Sequence, residues 1–294
     1  MTKVTEHPFP AAAIRQIRAY DETFVPAVFH PWASLLVGAL AVEPGSSTLD
    51  VGTGPGTVAR VLSACAGSSG SVVAVDINAA MLMLATDKPP LAGAAPIEYL
   101  ECAAASLPLA DGDLDVVTGQ QVLQFVPDRA AALTEIRRVL KPGGRIGLIT
   151  WTGLNDNPLF KALHDAVGEV LGAAAAVAFS EPWSLDGGET VALARAAGFT
   201  NVVGYRRSLP AIFRNGPDEV CRFYSFSAVR ADIALLDERR RAKLHDITRT
   251  NLLPMTHAGE VHTMTTATLV LARAGRAHPV ERRAAASDAA RRPS

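Results

Sequence analysis

Three closely spaced glycines, Gly52, Gly54 and Gly56, follow the apolar run Thr48–Val51 and precede a helical pattern. Glycine lets the backbone turn sharply and lets a ligand approach where a Cβ would collide. Asp76 ends the next apolar run, and a carboxylate at that place can accept hydrogen bonds from both hydroxyls of a ribose. The pattern predicts a ligand site at the ends of two neighbouring strands.

The spacing of this loop differs from two common nucleotide-binding patterns. A dinucleotide fingerprint has its third glycine where this chain has Thr57, whereas here the third glycine is Gly56, directly after Pro55. No Gly-Lys-Ser/Thr follows, which excludes a Walker phosphate loop. The loop alone also fits an ordinary strand-to-helix turn, and a nicotinamide-dependent oxidoreductase is a less favoured alternative.

Short β-branched runs alternate with helical patterns in the first half of the chain, which requires parallel strand pairing with right-handed crossovers. The strands predicted there are Thr48–Val51, Ser71–Asp76, Ile97–Glu101, Leu114–Gly119 and Arg145–Trp151. The elements predicted in the second half are helices over 159–179 and 186–197, a strand over 201–208, a helical insertion over 217–253 and a last strand over 263–272. Asn78 and Asp128 are placed to cap the helices that follow them.

Five motifs in this order resemble those of class I S-adenosyl-L-methionine-dependent methyltransferases, in particular the ubiquinone/menaquinone biosynthesis-type small-molecule branch. They are Asp50–Gly56, Asp76 with its neighbours, Ser106–Leu109, Asp111–Asp115 and Arg138–Gly144. The resemblance implies an α/β, Rossmann-like fold: a mostly parallel seven-stranded sheet flanked by helices, with a helical insertion before the last strand.

The resemblance also implies a set of cofactor-binding residues. They are Asp50, Gly52, Thr53, Gly54, Gly56, Asp76, Ile77, Met81, Ala103, Ala104 and Gln120. Asp76 matches the acid that holds the ribose, and Ile77 with Met81 matches the apolar clamp on adenine. The chain departs from the family at Ala103, where an acidic residue usually meets the adenine amino group. One hydrogen bond to a charged group, worth ~1.5–3 kcal/mol, is then missing.

Three residues are candidates for catalysis, namely Gln121, Tyr20 and His30, and three for the wall of the acceptor pocket, namely Trp32, Phe223 and Tyr224. Each has a plainer alternative. A glutamine amide can cap a turn, a tyrosine or tryptophan can simply pack in the core, and a single histidine beside an apolar run is more often structural. The insertion is expected to close over the acceptor as a lid, the alternative being a helix packed on the sheet that touches no substrate.

The function predicted is methyl transfer to oxygen, carbon or nitrogen of a small, fairly apolar acceptor, in quinone-like or secondary metabolism. A non-catalytic protein that binds S-adenosyl-L-methionine fits the same motifs. A net charge of −1, from 28 Lys+Arg and 29 Asp+Glu, argues against a nucleic-acid or anionic membrane partner. Three cysteines without a CxxC pair favour a reducing cytoplasm, and no metal-binding pattern is present. A homodimer is an open alternative.

We expect one domain over 1–274. Its parts are an N-terminal helical cap over 1–46, a cofactor-binding core over 47–151 and the helical insertion over 209–260, while an Arg- and Ala-rich tail over 275–294 is expected to be disordered. The apolar run Trp32–Val42 is about half of the ~20 residues that a bilayer span needs, and it is interpreted as a buried helix.

Overall fold

The computed structural model describes residues 9–275, so the predicted tail lies outside the described residues except for Gly275. The strands are β1 (Ser47–Val51), β2 (Ser71–Asp76), β3 (Ile97–Glu101), β4 (Leu114–Gln120), β5 (Leu140–Trp151), β6 (Phe199–Phe213), β7 (Thr256–His257) and β8 (Glu260–Ala274). The helices are α1 (Ala11–Phe24), α2 (His30–Leu40), α3 (Thr57–Ala66), α4 (Ala79–Thr86), α5 (Arg129–Val139), α6 (Pro158–Leu171), α7 (Ala173–Ser180), α8 (Gly187–Ala196), α9 (Pro217–Cys221), α10 (Arg230–Ala234) and α11 (Glu238–Leu252).

The main sheet has the strand order β3-β2-β1-β4-β5-β8-β6, and the two-residue strand β7 pairs with β8. The pairs from β3 through β5 are parallel, whereas β8 runs antiparallel to both β5 and β6. The order reverses at β1, whose neighbours are β2 on one side and β4 on the other. In open sheets of this kind ligands bind at such a reversal, beyond the carboxyl ends of the strands. The predicted Rossmann-like sheet is confirmed.

Helices cover both faces of the sheet because successive strand residues point to opposite sides. Val116 belongs to one buried cluster, with side chains of α2, α3 and α6, while its neighbour Val117 belongs to another, with side chains of α5 and α8. The predicted caps are confirmed: Asn78 accepts from the backbone N–H groups of α4, and Asp128 accepts from that of Ala131 in α5. These helices fix the positions of the loops between β1 and α3 and between β2 and α4.

Two predicted elements differ in detail. The helix expected over 159–179 is broken into α6 and α7 at Gly172, whose φ of 98° interrupts helical geometry. The insertion expected from 209 begins at Pro217, because β6 pairs with β8 as far as Phe213. Its longest helix, α11, packs against α6 and joins the core of that face.

The N-terminal helices form one continuous run, in which a π-helical turn (Val25–Phe29) joins α1 to α2. By length and composition the stretch Ala13–Leu40 could cross a membrane, and 44% of its most apolar window is buried within the structure. Trp32 and Leu36 are completely buried against the sheet. In this structure the apolar side of the run is therefore part of the core.

Candidate functional site

The glycine loop between β1 and α3 leaves open space on one side. Gly52, Gly54 and Gly56 all have φ between 53° and 81°, a region that L-residues with side chains rarely adopt. A Cβ on Gly52 would collide with the Val122 side chain, and one on Gly56 would lie 2.9 Å from the Tyr99 hydroxyl. A Cβ on Gly54 would meet no atom within 4 Å, so this glycine borders the space that a ligand can enter.

Asp76 joins the end of β2 to the glycine loop. Its Oδ2 accepts a hydrogen bond of 2.8 Å from the Gly54 N–H, and its Oδ1 accepts one of 2.9 Å from the Asn78 N–H. A carboxylate offers about four lone-pair sites, so both oxygens retain capacity for further donors. The carboxylate is half-buried at the mouth of the open space beside Gly54.

An exposed apolar side chain follows Asp76. Ile77 is 71% exposed although it directly follows a buried strand, and Ala103, after β3, is exposed as well. Met81 and Ala104 are half-buried, and Met81 packs against the small cluster formed by α1 and α4. The predicted adenine-binding residues thus form an apolar surface at the ends of β2 and β3.

Buried polar atoms without a hydrogen-bond partner gather at the ends of β1 and β4. Among the described residues, six of seven such atoms lie on these strand ends or on the loop, turn and helix start that follow them. They are Asp50 Oδ2, Thr53 Oγ1, Thr57 Oγ1, Gln120 Oε1, Gln121 Nε2 and Gln124 Oε1. Buried polar groups are nearly always paired, since an unpaired one costs ~1–3 kcal/mol. Such a cluster is suited to a polar ligand that supplies the missing partners.

Asp50 is the most perturbed acid of this cluster. Its carboxyl is 1% exposed and accepts one hydrogen bond, of 2.9 Å, from the Thr118 hydroxyl. Burial raises the pKa of Asp50 to about 7 and the nearby charge of Asp76 raises it further, while the hydroxyls of Thr53 and Thr118 and the Ala59 N–H lower it. The Thr53 hydroxyl is near enough to influence the carboxyl but does not meet the geometry of a hydrogen bond. The group is therefore close to half protonated at neutral pH, and a cationic ligand group would favour its ionised form.

Asp50 should make folding stability depend on pH. Its pKa in the folded chain lies above the ordinary 3.8, so the stability it contributes is complete below about pH 4 and is lost as pH rises to about 7. Urea unfolding of the wild type should give a free energy of unfolding that is higher at pH 5 than at pH 8. This difference should exceed the one measured for Asp50→Asn by about 2–3 kcal/mol. Parallel pH curves for the two proteins would show that Asp50 does not titrate in this range.

The structure places the three catalytic candidates differently. Gln121 is buried, with a left-handed φ of 54°, and its N–H donates to the Ile149 carbonyl at 2.9 Å. Tyr20 is half-buried, with its ring 5.2 Å from that of Phe29 and close enough to Asp76 to sense its charge. His30 is exposed at the start of α2. Gln121 thus lies at the end of β4 and Tyr20 lies near Asp76, while His30 is exposed to solvent.

Tyr20 is unsuited to act as a base at neutral pH. Burial, together with the charges of Asp21 and Asp76, raises the pKa of its hydroxyl above the ordinary value of 10. The phenol therefore stays protonated and can donate a hydrogen bond. Its aromatic contacts with Phe29 and Phe226 make it part of the cover of the site.

Two of the three predicted pocket residues lie in the core. Trp32 has no exposed surface, and its indole N–H donates to the Thr265 hydroxyl at 2.9 Å. Tyr224 is 3% exposed, and its hydroxyl pairs with that of Thr248 at 2.5 Å. Each of these side chains is fixed by a hydrogen-bond partner distant in sequence, and their place in the acceptor pocket stays a prediction. Only Phe223 is half-buried, as the prediction requires.

Phe223 belongs to an aromatic cluster that also reaches Gln120. Its ring lies 5.1 Å from that of Phe24 and 5.2 Å from that of Phe160, which in turn lies 5.5 Å from Trp151. The further members of the cluster are Tyr20, Phe29, Trp32, Phe179, Trp183, Phe213 and Phe226. The Gln120 amide donates to the Phe29 carbonyl at 2.9 Å, so the cluster borders the end of β4.

Two residues of the site give little signal in the sequence. Lys88, just after α4, donates to the Asp21 carboxylate at 2.6 Å and to the Pro55 carbonyl at 2.8 Å, which connects α1 to the glycine loop. Trp183 is buried on a 3₁₀ turn (Glu181–Trp183), and its indole nitrogen is the seventh unpartnered atom. A Lys at a helix end and a Trp in a helical stretch are both common, so only the structure distinguishes them.

Comparison with known proteins agrees with this geometry. Residues 49–148 match a family described as a methyltransferase domain, and this segment contains β2 to β4, most of β1 and β5, and the glycine loop. The segment 49–148 is therefore similar in sequence to methyltransferase domains. Within the methyltransferase domain lie Asp76, Ile77 and the six unpartnered atoms at the ends of β1 and β4.

Among curated proteins, the domain is similar to the ubiquinone/menaquinone biosynthesis C-methyltransferase UbiE of Xanthomonas campestris. The two are 35% identical over 139 residues, which is 47% of this chain and 54% of the relative. The chain spans about half the length of the curated relatives it matches.

Among solved structures, YcgJ of Bacillus subtilis superimposes with a TM-score of 0.57 at 18% identity, over 85% of this chain and all of that one. Phosphoethanolamine N-methyltransferase 2 of Haemonchus contortus, solved with S-adenosylhomocysteine and phosphomonomethylethanolamine, gives 0.55 at 17% identity, over 90% of this chain and 58% of that one. At these identities the likeness concerns the fold.

Proposed function

We propose that this chain transfers the methyl group of S-adenosyl-L-methionine to a small, uncharged and largely apolar acceptor. The observation that carries the proposal is the set of six unpartnered buried polar atoms at the ends of β1 and β4, beside the open space at Gly54. The similarity to UbiE, named a C-methyltransferase, supports the same reaction class.

The residues present fit the parts of S-adenosyl-L-methionine. Asp76 has free lone pairs for the ribose hydroxyls, and the exposed Ile77 offers an apolar surface to adenine. The unpartnered oxygens of Asp50, Thr53 and Gln120 are suited to the charged and polar methionine end. At Ala103 no side-chain acceptor is available, so adenine would be held by backbone groups and apolar packing.

When bound, S-adenosyl-L-methionine supplies an electrophilic methyl group on its sulfonium. The chain then has to align the acceptor atom with that methyl group. Such alignment can lower the activation free energy by ~7–11 kcal/mol. Tyr20 on α1 and the aromatic rings of Phe29 and Phe223 can exclude water from the reacting atoms. A protonated Tyr20 and a Gln121 amide orient by hydrogen bonding and do not remove a proton.

The acceptor is expected to be apolar because aromatic rings border the end of β4. The rings are uncharged and form a chain of contacts from Phe29 through Trp151 and Phe160 to Phe223. The centroids of successive rings in this chain are at most 6.2 Å apart. A charged acceptor would lose its hydration there without an opposite charge to replace it. Quinone-like and other secondary metabolites meet this requirement, and such an acceptor suits a cytoplasmic enzyme that works without a nucleic-acid partner.

The test is methyl transfer with the purified chain. Methyl-labelled S-adenosyl-L-methionine should yield labelled product with at least one member of a panel of quinols, phenols and polyketide-like acceptors. Calorimetry should show binding of S-adenosyl-L-methionine and none of NADH. Binding without transfer to any acceptor would identify a non-catalytic binding protein, and preference for NADH would identify an oxidoreductase.

A further inference from the structure

Trp183 has a buried hydrogen-bond donor that is unpaired within the part of the chain that the structure describes. Its side chain is 7% exposed, and no acceptor lies within hydrogen-bond distance of the indole nitrogen among the described residues. An indole N–H can only donate, so it cannot be satisfied by another donor. Trp32 is different, because its buried N–H is paired with Thr265. Among the described residues the donor of Trp183 therefore lacks an acceptor, which a ligand can supply.

The position of Trp183 connects it to the end of β4. The turn Glu181–Trp183 lies against β5 and against a second 3₁₀ turn, Leu123–Phe125, which directly follows Gln121 and Val122. The side chains of Gln121 and Gln124 are hydrogen-bonded to each other at 3.3 Å, yet Gln121 Nε2 and Gln124 Oε1 remain unpartnered. The two turns in contact thus carry one unpaired N–H donor, on Trp183, and one unpaired carbonyl oxygen, on Gln124. A second unpaired N–H donor, on Gln121, precedes the turn Leu123–Phe125 by two residues.

The surroundings of Trp183 are aromatic. Its ring lies 4.8 Å from that of Phe160, 5.7 Å from that of Phe179 in a stacked arrangement, and 6.5 Å from that of Phe223. Phe223 is the half-buried member and lies on the 3₁₀ turn Arg222–Ser225 of the insertion. A flat apolar molecule can pack against this cluster at the half-buried Phe223, whereas a charged one would be desolvated without compensation.

We propose that Trp183 is a specificity-determining residue whose indole N–H, together with the Gln121 amide, holds an oxygen atom of the methyl acceptor. The inference rests on the proposed function and adds the chemical feature that the acceptor must carry. An acceptor with a carbonyl or hydroxyl oxygen satisfies both donors, and a hydroxyl can also donate to Gln124 Oε1. A molecule of the same shape without oxygen leaves them unpaired, which is how buried polar groups reject an analogue.

The test compares 1,4-naphthoquinone with naphthalene, which has the same ring system and no oxygen. Equilibrium dialysis should show that the wild type binds the quinone at least about 10-fold more tightly. In Trp183→Phe, which keeps an aromatic ring and removes the N–H, quinone binding should weaken about 5- to 30-fold. Naphthalene binding should change less than about twofold, since it uses no hydrogen bond. Trp32→Phe is the control, because it removes a donor that is already paired, and it should preserve the preference.

Equal affinity of the wild type for both probes, binding of neither, or equal weakening of both in Trp183→Phe would overturn the inference. A variant that no longer folds is recognised by circular dichroism, and Gln121→Ala then provides the same test from the second donor. The proposed function is judged separately by label transfer from S-adenosyl-L-methionine. If no label is transferred but the preference for the quinone still depends on Trp183, the methyltransferase proposal fails and the oxygen-binding role of Trp183 stands. If label is transferred but the preference does not depend on Trp183, only the role of Trp183 fails.

Discussion

Gly54→Val should abolish measurable binding of S-adenosyl-L-methionine. A Cβ at this position meets no atom within 4 Å, so the two methyl groups of valine would occupy the space open to the ligand. The φ of 53° is also unfavourable for a β-branched residue. Calorimetric titration should show affinity reduced by more than about 100-fold, equivalent to about 2.7 kcal/mol.

Gly112→Val is the matched control for backbone strain. Gly112 has a φ of 64° and open space around its Cβ position, yet it precedes β4 at the amino end of the sheet, away from the site. It should lose similar thermal stability and keep the wild-type affinity. If both variants lose affinity alike, the effect of Gly54→Val is a general loss of folding and says nothing about the ligand.

Asp76→Ala is expected to weaken binding of the same ligand by ~1.5–3 kcal/mol, or about 10- to 150-fold. The change removes the acceptor for the ribose hydroxyls and also the partner of the Gly54 and Asn78 N–H groups. Asp76→Asn keeps one carbonyl oxygen, so its loss should be smaller. Calorimetric titration of both variants gives the ranking.

Asp113→Ala provides the comparison, because Asp113 is an exposed acid at the opposite end of the sheet. It should bind as the wild type does. Unchanged affinity in Asp76→Ala, with the chain folded, would remove Asp76 from the cofactor site.

The strands and the helix caps were predictable from sequence because their signals are local. A buried parallel strand is a short apolar run, and a glycine loop between such a run and a helix has a fixed place in the fold. The predicted β2 and β3 have the bounds found in the structure, and Asn78 and Asp128 cap the helices expected. The last strands differ more: β5, β6 and β8 are each longer than predicted, and the helix expected over 159–179 is broken at Gly172.

The acceptor side was not predictable, because distant partners decide where its side chains point. Tyr224 turns into the core towards Thr248, 24 residues later, and Trp32 pairs with Thr265, 233 residues later. Phe223, next to Tyr224 in sequence, remains half-buried among the aromatic rings. A local pattern cannot distinguish these outcomes, and Trp183 becomes notable only once its missing partner is visible.

The outermost strand of the sheet, β6, bears on how the chain behaves in concentrated solution. It is fifteen residues long, and among the described residues only β8 pairs with it, which leaves one edge able to template pairing with another chain. Arg206 and Arg207 are exposed at its centre, the latter over the ring of Tyr205, and Pro210 removes one backbone donor. Like charges brought face to face repel, and proline interrupts a hydrogen-bond ladder, so β6 itself opposes edge-to-edge aggregation.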